Sequence, residues 1–171
     1  MFPPTIKIVG FHNANYMSLA KNFEANVKRQ LLGVDNVYVL RLYDTMFDAR
    51  GIHNPCDFIA YEKPNMILLE CKTTAGASLP FKNISDNQWN DIYEATKKAK
   101  GIIGIILVWF YDKDTTLAFD IRALTEMKNQ GIKSIRYDAN GKGIIKVNGI
   151  KAHKYFTYDF KPMLKEIKSW K

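Results

Sequence analysis

Residues 101–111 read GIIGIILVWFY. No position in the middle of that run offers a polar side chain to water. Neither a half-solvated strand nor an amphipathic helix fits it, because both need a polar face. The run is also well short of the roughly 20 apolar residues that cross a bilayer. What accommodates it is a strand covered on both faces, at the centre of a sheet with helices above and below. The rest of the chain then has to supply two covering layers.

The flanking segments read as such layers. Leu19, Phe23, Val27 and Leu31 recur at every fourth position, which predicts a helix over about 16–32, stopped near Gly33. VYVLRLY (37–43) alternates and predicts a strand. CDFIAY and MILLECK predict a hairpin turning at Lys63-Pro64. The composition of 73–83 predicts a loop. A second helix is expected over about 85–100 with Ser85 as its N-cap, then the apolar strand over 102–110 and a further strand at TLAFD. IRALTEMKNQ predicts a helix closed by Gly131, GIIKVNG a strand, and the tail from Lys161 a last basic helix. Residues 1–13 read as an arm holding one short strand-like piece, IKIV. No repeat, low-complexity tract or linker interrupts the chain, so a single domain over 1–171 is expected. The expected class is α/β, a mixed central sheet flanked by helices.

Composition narrows the class of partner. The 171 residues are 47% hydrophobic and 13% aromatic, which excludes a disordered chain. Lys and Arg number 25 against 17 Asp and Glu, a net charge of +8, the balance of a protein that meets nucleic acid or an anionic surface. The two cysteines, Cys56 and Cys71, make no disulfide framework, and buried free thiols in a reducing compartment are expected. The N-terminus lacks the form of a signal peptide, so a cytoplasmic protein with no membrane association is expected.

Inside the predicted hairpin stand Asp57, Glu70 and Lys72, three charged groups in strands that otherwise look buried. Side chains alternate along a strand, so Glu70 and Lys72 share a face and Cys71 takes the other. If the turn has an even count centred on Lys63-Pro64, counting outward from 62 and 65 brings Asp57 opposite Glu70. A one-residue change in the turn would bring it opposite Cys71 instead. Opposed carboxylates with Cβ atoms about 4.5–5.5 Å apart repel unless a cation lies between them or one is protonated. Two hard oxygen ligands beside a lysine suit Mg²⁺-assisted attack of water on a phosphodiester. A Glu-x-Lys pair alone also describes an ordinary ion pair on an exposed hairpin. The apolar neighbours and the register of Asp57 strengthen the case for the metal site, and the ion-pair reading stays open on the spacing alone.

The stretch CDFIAY…MILLECK resembles the motif of the PD-(D/E)xK nuclease superfamily, an Asp, a short hairpin, then Glu-x-Lys. ECKTTAGASLPFKNISDNQ, and farther on LAFDIRALTEMKNQGIKSIRYDA, are similar to RecU-type Holliday junction resolvases. The resemblance spans most of 16–160. It implies a restriction-endonuclease-like core and a homodimeric, Mg²⁺-dependent endonuclease, with Mn²⁺ as a substitute, that cuts four-way DNA junctions in a bacterial or phage-infected cell. It also implies that Asp57, Glu70 and the carbonyl of Cys71 hold the metal, that Lys72 is catalytic, and that Glu24 and Gln88 assist. Lys82 and Ser78 are expected to contact DNA from the loop after the Glu-x-Lys element. Two departures stand out. Only residues 25–56 lie where RecU proteins carry a long stalk, so a full stalk does not fit, and PCD replaces the more usual residues before the Asp.

Other readings stay open on the sequence. A restriction- or repair-type nuclease could use the same core, and a non-catalytic DNA-binding protein could retain its scaffold. Ser85-x-x-Gln88 is also a capping box, a purely structural use of Gln88. Glu24 equally suits a solvated helix face. Cys56 and Cys71 could lie opposite one another, away from the acids. His12, His53 and His153 show no zinc spacing. The late lysines suit a solvated face or phosphate contacts. Trp89 and Trp109 suit the core, and Trp170 is uncommitted.

Overall fold

The computed structural model describes residues 10–43, 53–152 and 155–170, and for 10–18, 152 and 155 only the backbone. In chain order the elements begin with α1 (Gly10–Leu32), β1 (Tyr38–Arg41), β2 (Phe58–Glu62), β3 (Asn65–Thr74) and β4 (Ser78–Pro80). They continue with α2 (Asp86–Lys98), β5 (Ile102–Phe110), β6 (Thr115–Asp120), α3 (Ile121–Asn129) and β7 (Ser134–Arg136). β8 (Ile144–Val147), β9 (Gly149–Ala152), β10 (Tyr155–Tyr158) and α4 (Lys161–Ile167) complete the chain.

Six strands form one sheet in the order β1-β2-β3-β5-β6-β8. β3 and β5 run parallel through nine paired positions, from Met66↔Ile102 to Thr74↔Phe110, and every other neighbour is antiparallel. A parallel pair needs a long crossover, and α2 supplies it. β5 is the apolar run that opened the sequence, and the alternation of its side chains builds two cores. Ile105 and Leu107 pack with Phe23, Val27 and Leu31 of α1 and Met163, Leu164 and Ile167 of α4. Ile106 and Val108 pack on the other face with Trp89 and Ile92 of α2 and Ile121 and Leu124 of α3. The expected sheet with helices on both faces is therefore what forms.

Several boundaries differ from expectation. The segment 73–83 is not a plain loop: β3 runs on to Thr74, and Ser78–Pro80 pairs with β7 in a two-stranded ribbon before the turn Phe81–Asn83. A three-residue strand is too short for alternation to announce it. α1 begins at Gly10 rather than near Tyr16, so the expected arm loses 10–13 to the helix, and its IKIV piece lies outside the described residues. Cys56 and Cys71 are both buried and free. They sit in different cores, because β2 ends at Phe58 and Cys56 turns to the α2 side while Cys71 faces α1.

Gly104, in the middle of β5, lets α2 and α3 approach the sheet. A Cβ there would overlap the Cγ2 methyls of Ile92 and Ile121, both fully buried. Gly104→Ala is expected to lower stability by about 1–3 kcal/mol through overpacking. Urea unfolding reads this as a lower midpoint with an unchanged slope.

Candidate active site

The register that the hairpin adopts decides where the acids go. Phe58↔Leu69 through Glu62↔Asn65 pair around a two-residue turn at Lys63-Pro64, so Asp57 stands one step beyond the ladder, opposite Glu70. Asp57 is held from two directions. Its carbonyl accepts from the Leu42 N–H at 2.9 Å, and its Oδ2 accepts from the Cys71 N–H at 2.7 Å. The N–H and C=O of one strand residue point to the same edge, so the Cys71 carbonyl also faces the side that β2 has vacated. The expected pairing of Asp57 with Glu70, rather than with Cys71, is thus the one observed.

Glu70 is 2% exposed. Its Oε1 accepts from Lys72 Nζ and from Gln88 Nε2, each at 2.7 Å. Its Oε2 is buried and has no hydrogen-bond partner among the described residues. A buried polar atom left so costs about 1–3 kcal/mol, and more when charged. Burial first, and then the neighbouring Asp57, push the Glu70 carboxyl up to about 8, while Lys72 pulls it down. Burial also raises the Cys56 thiol to about 12, with Glu70 adding to the effect, and holds the Cys71 thiol well above its ordinary value. Neither sulfur is therefore a thiolate.

Gln88 serves two ends at once. Ser85 caps α2, its Oγ accepting from the Gln88 N–H, and the Gln88 Oε1 returns to the Ser85 N–H at 3.4 Å. The same amide donates to Glu70 and accepts from Lys72 Nζ at 3.1 Å. The capping box forms, and the amide that closes it also reaches Glu70 and Lys72.

These groups line a cleft of about 520 Å³ at the end of β3, together with Glu24, Asn83 and Thr73. Glu24 reaches it from α1 and pairs with Arg41 at the end of β1. The Arg41 guanidinium lies over the rings of Tyr43 and Phe58, at 5.1 and 5.9 Å from their centroids. Arg41 was missed in the sequence, since nothing in VYVLRLY sets it apart from a surface arginine. Asn83 sits inside the quoted SLPFKN stretch but was not singled out. Ser78 and Lys82 do not line the cleft; their neighbours Leu79 and Asn83 do. Lys82 is exposed beside it and Ser78 is half-buried. His53 is exposed and outside the lining, His12 is described by its backbone alone, and His153 lies outside the described residues.

Among the described residues no three His, Cys, Asp or Glu side chains converge tightly enough to hold a metal by themselves. What the cleft offers is two opposed carboxylates, a backbone carbonyl aimed to the same edge, and an orphaned carboxylate oxygen. That donor set is all hard oxygen. It suits Mg²⁺, which takes one or two carboxylates and completes its shell with water and substrate phosphate.

The family model described as RecU, Recombination protein U, matches residues 45–165. No curated protein matches the chain. Among solved structures, that of Hjc, a Holliday junction resolvase from the archaeal hyperthermophile Archaeoglobus fulgidus, is 14% identical with a TM-score of 0.44. The alignment covers 58% of this chain and 74% of that one.

The raised Glu70 carboxyl makes the cation-free protein sensitive to pH. Between its ordinary value of 4.5 and about 8, the folded state keeps a proton that the unfolded state has lost. Stability therefore falls as pH rises through this window. In EDTA, urea midpoints at pH 5 and pH 8.5 are expected to differ more for the unaltered protein than for Glu70→Gln, which has no proton to lose. Equal differences for the two proteins would contradict the assignment.

Proposed function

Given that the chain belongs to the RecU family of Holliday junction resolvases, we propose that it hydrolyses phosphodiesters of four-way DNA junctions with a divalent cation held by Asp57 and Glu70. Mg²⁺ is the expected ion and Mn²⁺ its substitute. One observation supports this above the others: a buried Glu70 whose second oxygen has no partner, placed opposite another carboxylate. Once Glu70 gives up its proton, it and Asp57 stand against the single ammonium of Lys72, and a small dication offsets the excess negative charge. The two thiols lie in different cores, so they do not converge as a pair of soft ligands.

The side chains divide the work. Asp57 and Glu70 supply charged oxygens, and the Cys71 carbonyl a neutral one. The bound ion would supply Lewis acidity to the phosphate and a water of lowered pKa. Lys72, steadied by Glu70 and Gln88, presents an ammonium to the charge that develops on the phosphate. Gln88 holds Glu70 and Lys72 in place from the first turn of α2. Glu24, held by Arg41, stands at the mouth as an outer acid. Lys82 and Ser78 contact the backbone of the strand being cut, with Lys82 giving an exposed charge.

Paired cuts in opposed strands call for two such clefts, and a C₂ homodimer supplies them. The active unit is a homodimer of single nuclease domains, each comprising residues 1–171, at work in the cytoplasm of a bacterial or phage-infected cell. No helix among the described residues is long and apolar enough to cross a membrane.

Synthetic four-way junctions and matched linear duplexes, each incubated with Mg²⁺ and with EDTA, test the reading. Cutting of the junction with Mg²⁺ alone is expected. Equal cutting of both DNAs would remove the junction preference, and full cutting in EDTA would remove the metal. Asp57→Asn is expected to abolish cutting and to retain junction binding, because its amide oxygen still accepts from Cys71. Parallel loss of both would mark a folding defect. Gln88→Ala should slow cutting about 10–100-fold, as loss of a supporting contact does. The Ser85 hydroxyl would still accept from the backbone N–H at position 88, so losing the side-chain half of the capping box should cost at most about 1 kcal/mol in stability.

A further inference from the structure

β3 and β5 begin side by side at the opposite end of the sheet from Glu70 and Lys72, roughly 20 Å away along β3 at ~3.3 Å per residue. A second cavity, of about 490 Å³, opens there between the end of α2, the start of β5 and the end of α4. Its lining includes Lys97, Lys100, Arg122 and Lys168 and no carboxylate. Trp170 contributes to the wall, and so do the apolar Ile102 and Ile103. Trp170 is half-buried, whereas Trp89 and Trp109 are buried.

Lysines at a helix C-terminus are ordinary, since they offset the negative end of its dipole. That accounts for Lys97. It does not account for cations arriving from three further places, the α2–β5 turn, α3 and α4, in the lining of one cavity that also holds an indole. Lys97, Arg122 and Lys168 each bond a carboxylate that lies outside the lining, Glu94, Asp120 and Glu62 respectively. Lys100 has no salt bridge among the described residues. An indole beside an apolar floor takes a base by stacking, and ammonium groups around it take the attached phosphate.

We infer that this cavity is a second, non-catalytic nucleotide subsite, which stacks a base on Trp170 and binds its phosphate with Lys100, Lys97 and Lys168. The ligand class, a nucleoside phosphate, is chosen on the nuclease reading; the geometry is independent of it. The nucleotide is either part of a DNA strand leaving the cut site or free in solution, and the two share this chemistry.

Tryptophan fluorescence reads the site without any cleavage. In EDTA at low salt, a short oligothymidylate, thymidine monophosphate and inorganic phosphate are titrated separately. A nucleotide is expected to quench Trp170, with Trp170→Phe removing the change. Lys100→Glu, at an exposed position, should weaken the effect about tenfold. A strand as the source predicts quenching by the oligothymidylate far below the concentration at which the mononucleotide acts. A free nucleotide predicts equal potency per base. Asp57→Asn should quench like the unaltered protein, which separates this site from the catalytic one. No quenching by either nucleotide, quenching untouched by Lys100→Glu, or an equal effect of inorganic phosphate would overturn the inference.

Discussion

Five residue pairs join β2 to β3 around the turn at Lys63-Pro64, and the side chains at the far end of that ladder are placed by counting alone. Slip the register by one and Asp57 exchanges the company of Glu70 for that of Cys71, with the apolar set of β2 turning to the wrong core at the same time. The buried faces of Phe58 and Ala60 therefore protect the active-site geometry. The register is enforced by apolar burial that begins at Phe58, the residue next to Asp57. The backbone then finishes the placement: Leu42 takes the Asp57 carbonyl and Cys71 takes its carboxylate.

Glu70 shows how a charged group survives in such a place. One oxygen is saturated by Lys72 and Gln88, and the other has nothing among the described residues. Without a cation, burial and Asp57 favour the protonated acid over the carboxylate. Binding of the proposed ion would reverse that preference, releasing a proton at neutral pH and removing the penalty on the orphaned oxygen together. The second supporting partner comes from a helix cap. Because Ser85 and Gln88 already hold each other to start α2, the amide is oriented before it meets Glu70 and Lys72. Local helix chemistry thus supplies pre-organisation to a site built on strands.

Much of this was legible in the chain. The double-sided apolar run 102–110 placed the central strand, the fourfold spacing of Phe23, Val27 and Leu31 placed the first helix, and symmetric counting about Lys63-Pro64 brought Asp57 to Glu70. The first two rest on periodicities long enough to exclude their rivals, whereas the third held only for an even-count turn, which the structure supplies. What escaped had no such length. β4 and β7 are three residues each, and their pairing is decided by tertiary approach. Arg41 reads as any alternating strand arginine until α1 brings Glu24 to it. The idea that Cys56 might face Cys71 assumed that β2 continued to Cys56. The strand ends at Phe58, and the two thiols part to different cores. Ser78 and Lys82 were read from the loop as a whole, while the structure turns Leu79 and Asn83, their neighbours, into the cleft.

The end of β2 is itself the reason a cleft exists. As far as Leu69, β3 is hydrogen-bonded on both edges. From Cys71 to Thr74 only the β5 side continues. A strand with one open edge presents backbone carbonyls that water, an ion or a substrate can use, which a fully paired strand cannot. The parallel ladder to β5 is the longest in the sheet, so the exposed half of β3 is held rigid from its other side. Glu70 and Lys72 stand on that half, where pairing becomes one-sided. Side chains placed there combine an open backbone edge with the support of the longest ladder in the sheet. A loop carrying the same residues would offer the first property without the second.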